Sequence, residues 1–97
     1  MTDKFFNALG ISRRAKKLCI GHDEVKACVK AGRAVLVILT SDASDRLERE
    51  MRNLSESINL IRTDATMQDM GYHIGKKSGV FAVTDEGLAG LILSTIQ

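Results

Sequence analysis

Apolar and polar positions along this chain fall into short blocks that alternate between a helical and an extended period. Over residues 3–16, Phe5, Phe6, Leu9 and Ala15 recur at near-helical spacing, with Gly10 as a soft point, and predict a helix. Leu18-Cys19-Ile20 is a brief apolar run between Lys17 and Gly21 that suits a short strand. Residues 22–31 then place Val25, Cys28 and Val29 on one helical face. Asp23 and Glu24 fall in the first turn of that helix, where its dipole favours negative charge. Gly32 stands where a left-handed glycine closes a helix.

The second half repeats the alternation. Ala34-Val35-Leu36-Val37-Ile38-Leu39 is continuously apolar and rich in β-branched residues, as a strand covered on both faces would be. Ser41-Asp42-Ala43-Ser44 offers caps for a helix whose apolar stripe is Ala43, Leu47, Met51 and Leu54. Glu48 with Arg52, and Arg46 with Glu50, sit four apart and predict a solvated, ion-paired outer face. Residues 58–61 read as a third strand. Thr66 caps a short helix running to residue 74, and residues 79–83 form a fourth, buried strand. Thr84 or Asp85 caps a last helix with Leu88, Leu91, Ile92 and Ile96 expected inward. Strands alternating with helices imply an α/β fold in helix–sheet–helix layers. Residues 1–97 are expected to make one domain, with no linker, repeat or low-complexity segment.

Composition narrows the class. The chain is 44% hydrophobic and 27% charged, ordinary for a globular domain. Only 4% is aromatic, so the core must be aliphatic. No apolar stretch is long enough to span a membrane, and Met1-Thr2-Asp3-Lys4 leads into an amphipathic pattern, so the expected location is the cytoplasm. Cys19 and Cys28 make no CxxC motif, and with only His22 and His73 beside them no metal-ligand spacing exists. Both thiols are expected to be buried and reduced, with no metal and no cofactor. The net charge is +2 but unevenly spread. Residues 1–33 carry eight basic against three acidic side chains, and residues 34–97 carry six against nine. That asymmetry points to an anionic partner facing the first third.

Candidate chemistry is sparse for an enzyme. No nucleophile–histidine–acid motif is present, and the adjacent Asp23 and Glu24 diverge by about 100° on a helix, which suits no paired-carboxylate mechanism. No catalytic residue is therefore assigned. Gly71-Tyr72-His73-Ile74-Gly75-Lys76-Lys77-Ser78 imitates a nucleotide phosphate loop, but the first glycine is one residue too close and Lys77 takes the Ser/Thr place. The order of elements is also reversed, because a helix precedes the loop. What survives is a glycine-flanked basic loop, Gly75-Lys76-Lys77-Ser78-Gly79, able to approach phosphates. In the first third, Lys16 and Lys17 flank the turn into the first strand, and Gly21 ends that strand. The helix that follows starts with free N–H groups that can hold phosphate. A first-turn carboxylate can also accept from guanine. Taken singly, the basic loop reads better as a plain surface turn and the helix start as dipole-matched carboxylates, with Asp23 pairing to Lys26.

Together they do more. Leu9-Gly10-Ile11-Ser12-Arg13-Arg14-Ala15-Lys16-Lys17-Leu18, then Gly21, then Gly32 through Ser44, Met70-Gly71 to Ile74-Gly75-Lys76, and Val83-Thr84-Asp85-Glu86-Gly87-Leu88-Ala89 form an ordered set of landmarks over nearly the whole chain. This set resembles the ribosomal-protein superfamily typified by the archaeal L-seven-Ae and eukaryotic L-thirty-e proteins, in its small bacterial, YlxQ-type branch. The resemblance implies a three-layer α/β/α sandwich around a four-stranded mixed sheet. It also implies binding of structured RNA, often a kink-turn with sheared G·A pairs, because non-helical RNA features are the readable ones. By that resemblance Gly21 is the corner glycine and Glu24 the family's glutamate. Lys17 matches an upstream basic position, and Gly75, Lys76, Lys77 and Ser78 fall in the second contact loop. His22 and Asp23 stand where RNA-binding members commonly carry Thr and Asn. Ala27 replaces a lysine, with Lys26 one residue away. An ionised Asp only accepts hydrogen bonds, whereas Asn both donates and accepts. The expected RNA-binding set is thus Lys16, Lys17, Gly21, His22, Asp23, Glu24, Lys26, Gly75, Lys76, Lys77 and Ser78. The implied protein is a monomer associated with ribosomal RNA or the translation machinery. The alternative is a ribosome-associated or regulatory protein-interaction module whose RNA edge has degenerated, as the Asp23 and Ala27 departures would suit.

Overall fold

Every residue of Leu36–Leu39 and of Val80–Val83 is buried, so these two strands must lie inside a sheet with both faces covered. The computed structural model, which describes residues 2–96, shows how. The expected domain ends, Met1 and Gln97, lie outside the described residues. Elements follow the order α1 (Asp3–Arg14), β1 (Leu18–Ile20), α2 (His22–Lys30), β2 (Leu36–Leu39), α3 (Asp45–Leu54), β3 (Asn59–Arg62), α4 (Met67–Ile74), β4 (Val80–Val83) and α5 (Glu86–Ser94). The strands form one mixed sheet in the order β1-β4-β2-β3. β4 runs antiparallel to both β1 and β2, while β2 and β3 are parallel. The strand expected over 34–39 begins only at Leu36, although the Val35 N–H still donates to the Val83 carbonyl at the end of the ladder. The strand expected over 58–61 is shifted to 59–62.

Alternation along the strands divides the core in two. Leu18, Leu36, Ile38, Phe81 and Val83 face α1, α4 and α5, against Phe5, Leu9, Met70 and Ile92. Cys19, Val37, Leu39, Val80 and Ala82 face α2 and α3, against Val25, Cys28, Val29 and Met51. The result is the three-layer α/β/α sandwich with a four-stranded mixed sheet. In α5 the expected inward set needs correction: Leu91 is 43% and Ile96 40% exposed, and Ala89 is buried beside Ile92 instead. At about 100° per residue, Leu91 stands roughly 130° from the Ala89–Ile92 direction. Ile96 lies past the end of the helix at Ser94.

Local chemistry sets the helix ends. Thr2, Ser44, Thr66 and Asp85 cap α1, α3, α4 and α5 with side-chain oxygens, and Thr66 with Asp69 forms a reciprocal capping box. Helix α2 closes on Gly32 with φ 74°. The Gly32 N–H meets the Val29 carbonyl and the Arg33 N–H that of Cys28, which is the Schellman pattern. Helix α1 closes in the same way, Lys16 to Arg13 and Lys17 to Ser12, but on a lysine: Lys16 has φ 61°. It is the one non-glycine residue with positive φ among those described.

Candidate nucleic-acid interface

The corner between β1 and α2 is built on Gly21, whose φ of 98° and ψ of 161° are open to glycine almost alone. No side chain caps α2, so first-turn N–H groups of the helix remain free. The Gly21 N–H donates to the Val80 carbonyl at 3.0 Å, which fixes the corner beside the 75–79 loop. That loop is itself anchored. Gly75 ends α4 in the left-handed region with φ 85°, and the Arg13 guanidinium donates to the neighbouring Ile74 carbonyl. Ser78 folds back on Val80 through its hydroxyl.

Three of the expected residues meet in one place. Lys16, Glu24 and Lys76 line a cleft of about 420 Å³ along the outer edge of β1. Arg13, Arg33 and Cys19 line it with them. Neither Arg13 nor Arg33 belongs to the set expected from sequence. Their only sequence signal was the excess of basic residues in the first third, which does not single them out. Glu24 reaches back so that Oε2 accepts the Ile20 N–H at 3.2 Å, leaving Oε1 free to accept more.

The other first-turn residues turn away from this cleft. His22 places Nε2 2.9 Å from Glu50 on α3 and Nδ1 3.2 Å from Asp23. Lys26 Nζ reaches the same Glu50 oxygen at 4.0 Å. Glu50 therefore bonds across to α2 instead of forming the expected pair with Arg46, while Arg52 and Glu48 do pair at 3.0 Å. Hydrogen bonds accepted by Glu50 and then Asp23 raise the His22 pKa above its ordinary value, and the bond from His22 lowers that of Glu50.

The remaining candidates are dispersed. Lys17 immediately precedes β1, next to Lys16 but outside the cleft lining, its carbonyl accepting from the Thr84 N–H. Lys77 packs beside Gly71; the Asp42 carboxyl is held below its ordinary pKa by hydrogen bonds, those of Thr40 and the Met67 N–H first, with the Lys77 charge a lesser contribution. The two cysteines are buried free thiols. Burial, reinforced by Cys28, raises the Cys19 pKa to about 11, so that thiol is no nucleophile at neutral pH. His73 stacks on Phe6 with ring centroids 3.8 Å apart. Among the described residues no cluster of potential metal ligands occurs, and no helix is long and apolar enough to cross a membrane.

Comparison with known proteins places this geometry in context. A family model described as "Ribosomal protein L7Ae/L30e/S12e/Gadd45 family" matches residues 3–92. A protein named RNA-binding protein YlxQ from Bacillus subtilis (strain 168) is 32% identical over 96 residues, 97% of this chain and 96% of that protein. Another of that name from Enterococcus faecium is 28% identical over 90 residues, covering 89% of this chain and 84% of the relative. A solved structure of a Bacillus halodurans protein, described as of unknown function, superposes with TM-score 0.82 at 33% identity, over 94% of this chain and 98% of that one. The Giardia lamblia 15.5kD RNA binding protein superposes with TM-score 0.75 at 17% identity, over 96% of this chain and 82% of its own, a likeness of fold.

Proposed function

The chain belongs to the ribosomal protein L7Ae/L30e/S12e/Gadd45 family, and on that premise we propose that it is a non-catalytic RNA-binding protein. Its ligand is a structured RNA with a kink-turn-like internal loop, and its setting is the ribosome or the translation machinery in the cytoplasm. The observation that carries this reading is the seating of the uncapped α2 start, at Gly21, directly against the glycine-bounded loop before β4. A helix start offers N–H groups to phosphate. Glu24 keeps a free carboxylate oxygen for a guanine edge. Lys76 and Lys16 line the same cleft as that carboxylate. The names carried by the Bacillus subtilis and Enterococcus faecium relatives agree with this reading.

The test is equilibrium binding to a panel of structured RNAs, kink-turns included, beside a duplex control at physiological salt. Preferential binding of an internal-loop RNA is expected. Binding no tighter than to duplex would count against the reading. A second reading, a protein-interaction module, has one observation in its favour: Ile11 and Leu91 are 42% and 43% exposed and line a shared groove between α1 and α5. Partners that survive nuclease treatment in a pull-down would favour it.

A further inference from the structure

The first turn of α2 separates two electrostatically opposite surfaces. On the α3 side, Asp23 and Glu50 face His22 and Lys26, and each charge there already has a partner. On the β1 side, Glu24 is the lone acid among Arg13, Lys16, Arg33 and Lys76. These cations come from four different segments: the end of α1, the α1–β1 turn, the α2–β2 turn and the α4–β4 loop. Lys16, Arg33 and Lys76 form no ion pair or side-chain hydrogen bond with any other described residue. Lys16 also holds a left-handed backbone conformation that glycine would adopt more cheaply. The cleft lies on the outer edge of β1, which among the described residues is an edge strand of the sheet, so an extended chain can run along it.

We propose that the cleft bounded by Arg13, Lys16, Arg33 and Lys76 is the phosphate track of this protein, along which the RNA backbone leaves the Glu24 corner toward the α2–β2 turn. Arg33, far from the corner in sequence, is its outer phosphate contact. The α3 side of α2, closed by the His22–Glu50–Lys26 cluster and bearing Asp23, faces away from the RNA. Concentrated positive potential in a groove attracts a polyanion, while paired charges and an added carboxylate do not. Arg13 has a double part: it ties down the 75–79 loop through the Ile74 carbonyl and still offers unused guanidinium donors to the cleft.

This inference rests on the RNA-binding reading above, and the experiment separates the two. Affinity for a kink-turn hairpin RNA and for a duplex of equal length is measured over a range of salt for the wild type, Arg33→Gln, Lys26→Gln and Arg49→Gln. Arg33 is exposed, so its replacement leaves the core intact, and circular dichroism checks folding. Arg33→Gln is expected to reduce the slope of log K against log salt by about 0.9, the value of one phosphate contact. Arg33→Gln with Lys76→Gln should lose about twice that. A slope loss in Lys26→Gln with none in Arg33→Gln puts the phosphates on the α3 side; it overturns the track and leaves RNA binding standing. An equal loss in Arg49→Gln, on the outer face of α3, shows that only net charge matters and also overturns it. Failure of the wild type to prefer the hairpin removes the RNA-binding reading, and the track with it.

Discussion

Replacing Lys16 by glycine is expected to make the protein more stable and its hold on RNA weaker. Lys16 closes α1 with φ 61°, and both closing hydrogen bonds depend on that conformation: Lys16 N–H to Arg13 and Lys17 N–H to Ser12, at 3.0 and 2.9 Å. A left-handed conformation costs a residue with a Cβ roughly 1–2 kcal/mol. Glycine escapes that cost but brings extra freedom to the unfolded chain, worth roughly 0.4–1 kcal/mol. The difference leaves Lys16→Gly stabilising by about 0.5–1 kcal/mol. With a urea dependence near 1 kcal/mol per molar, the midpoint moves up by roughly 0.5–1 M. In a thermal melt of a domain this size the same change is about 2–8 °C. Lys16→Ala is the control, because it removes the ammonium and keeps the strain. Both variants should lose about 0.9 of salt slope on RNA if Lys16 faces a phosphate. The assay is a urea titration of the three proteins followed by RNA binding over salt. Lys16→Gly no more stable than Lys16→Ala would refute the backbone argument. Undiminished salt slopes in both would refute the contact.

Three further outcomes are expected. Gly75→Ala should destabilise by about 2 kcal/mol or more, because φ is +85° and an added Cβ would stand 3.0 Å from Arg13 Nη1; a urea midpoint matching wild type would show that loop and guanidinium yield easily. Glu24→Gln should weaken the preferred RNA by roughly 1–3 kcal/mol and leave duplex binding nearly unchanged, since an amide presents a donor where a base-reading carboxylate accepts; equal weakening on both RNAs would make Glu24 a structural residue. The His22 pKa is raised from 6.5 in the fold, so its stabilising contribution is fully present below that value and fades as pH rises through the folded pKa. Glu50→Gln should flatten this loss as pH rises above 6.5, and superimposable stability–pH curves for variant and wild type would dismiss the pairing.

Much of the fold was legible because its determinants are local. A cap such as Thr66 or Asp85 works within its own helical turn, and the Gly32 closure needs only the residues just before it. Strand ends were less legible, because where β2 begins depends on its pairing with Val83, almost fifty positions away. Leu91 was misplaced because apolar character says that a residue can be buried, while its angle around α5 decides whether it is. Of the candidate site, Gly21 and Glu24 could be marked by motif. Lys17 could not be separated from Lys16, though only Lys16 lines the cleft, while the backbone of Lys17 is held by Thr84.

The sequence by itself determined the alternation of helices and strands, their caps, the buried aliphatic core and a basic first third. These follow from periodicity, propensity and charge count, which each short segment carries within itself. The tertiary structure alone decided the strand order β1-β4-β2-β3, which leaves β1 on an open edge. It alone drew Arg13, Lys16, Arg33 and Lys76 around Glu24 and turned His22 and Lys26 toward Glu50. Contacts of this kind join residues whose separation along the chain bears no relation to their distance in space. They exist only once the two core layers have closed on the sheet.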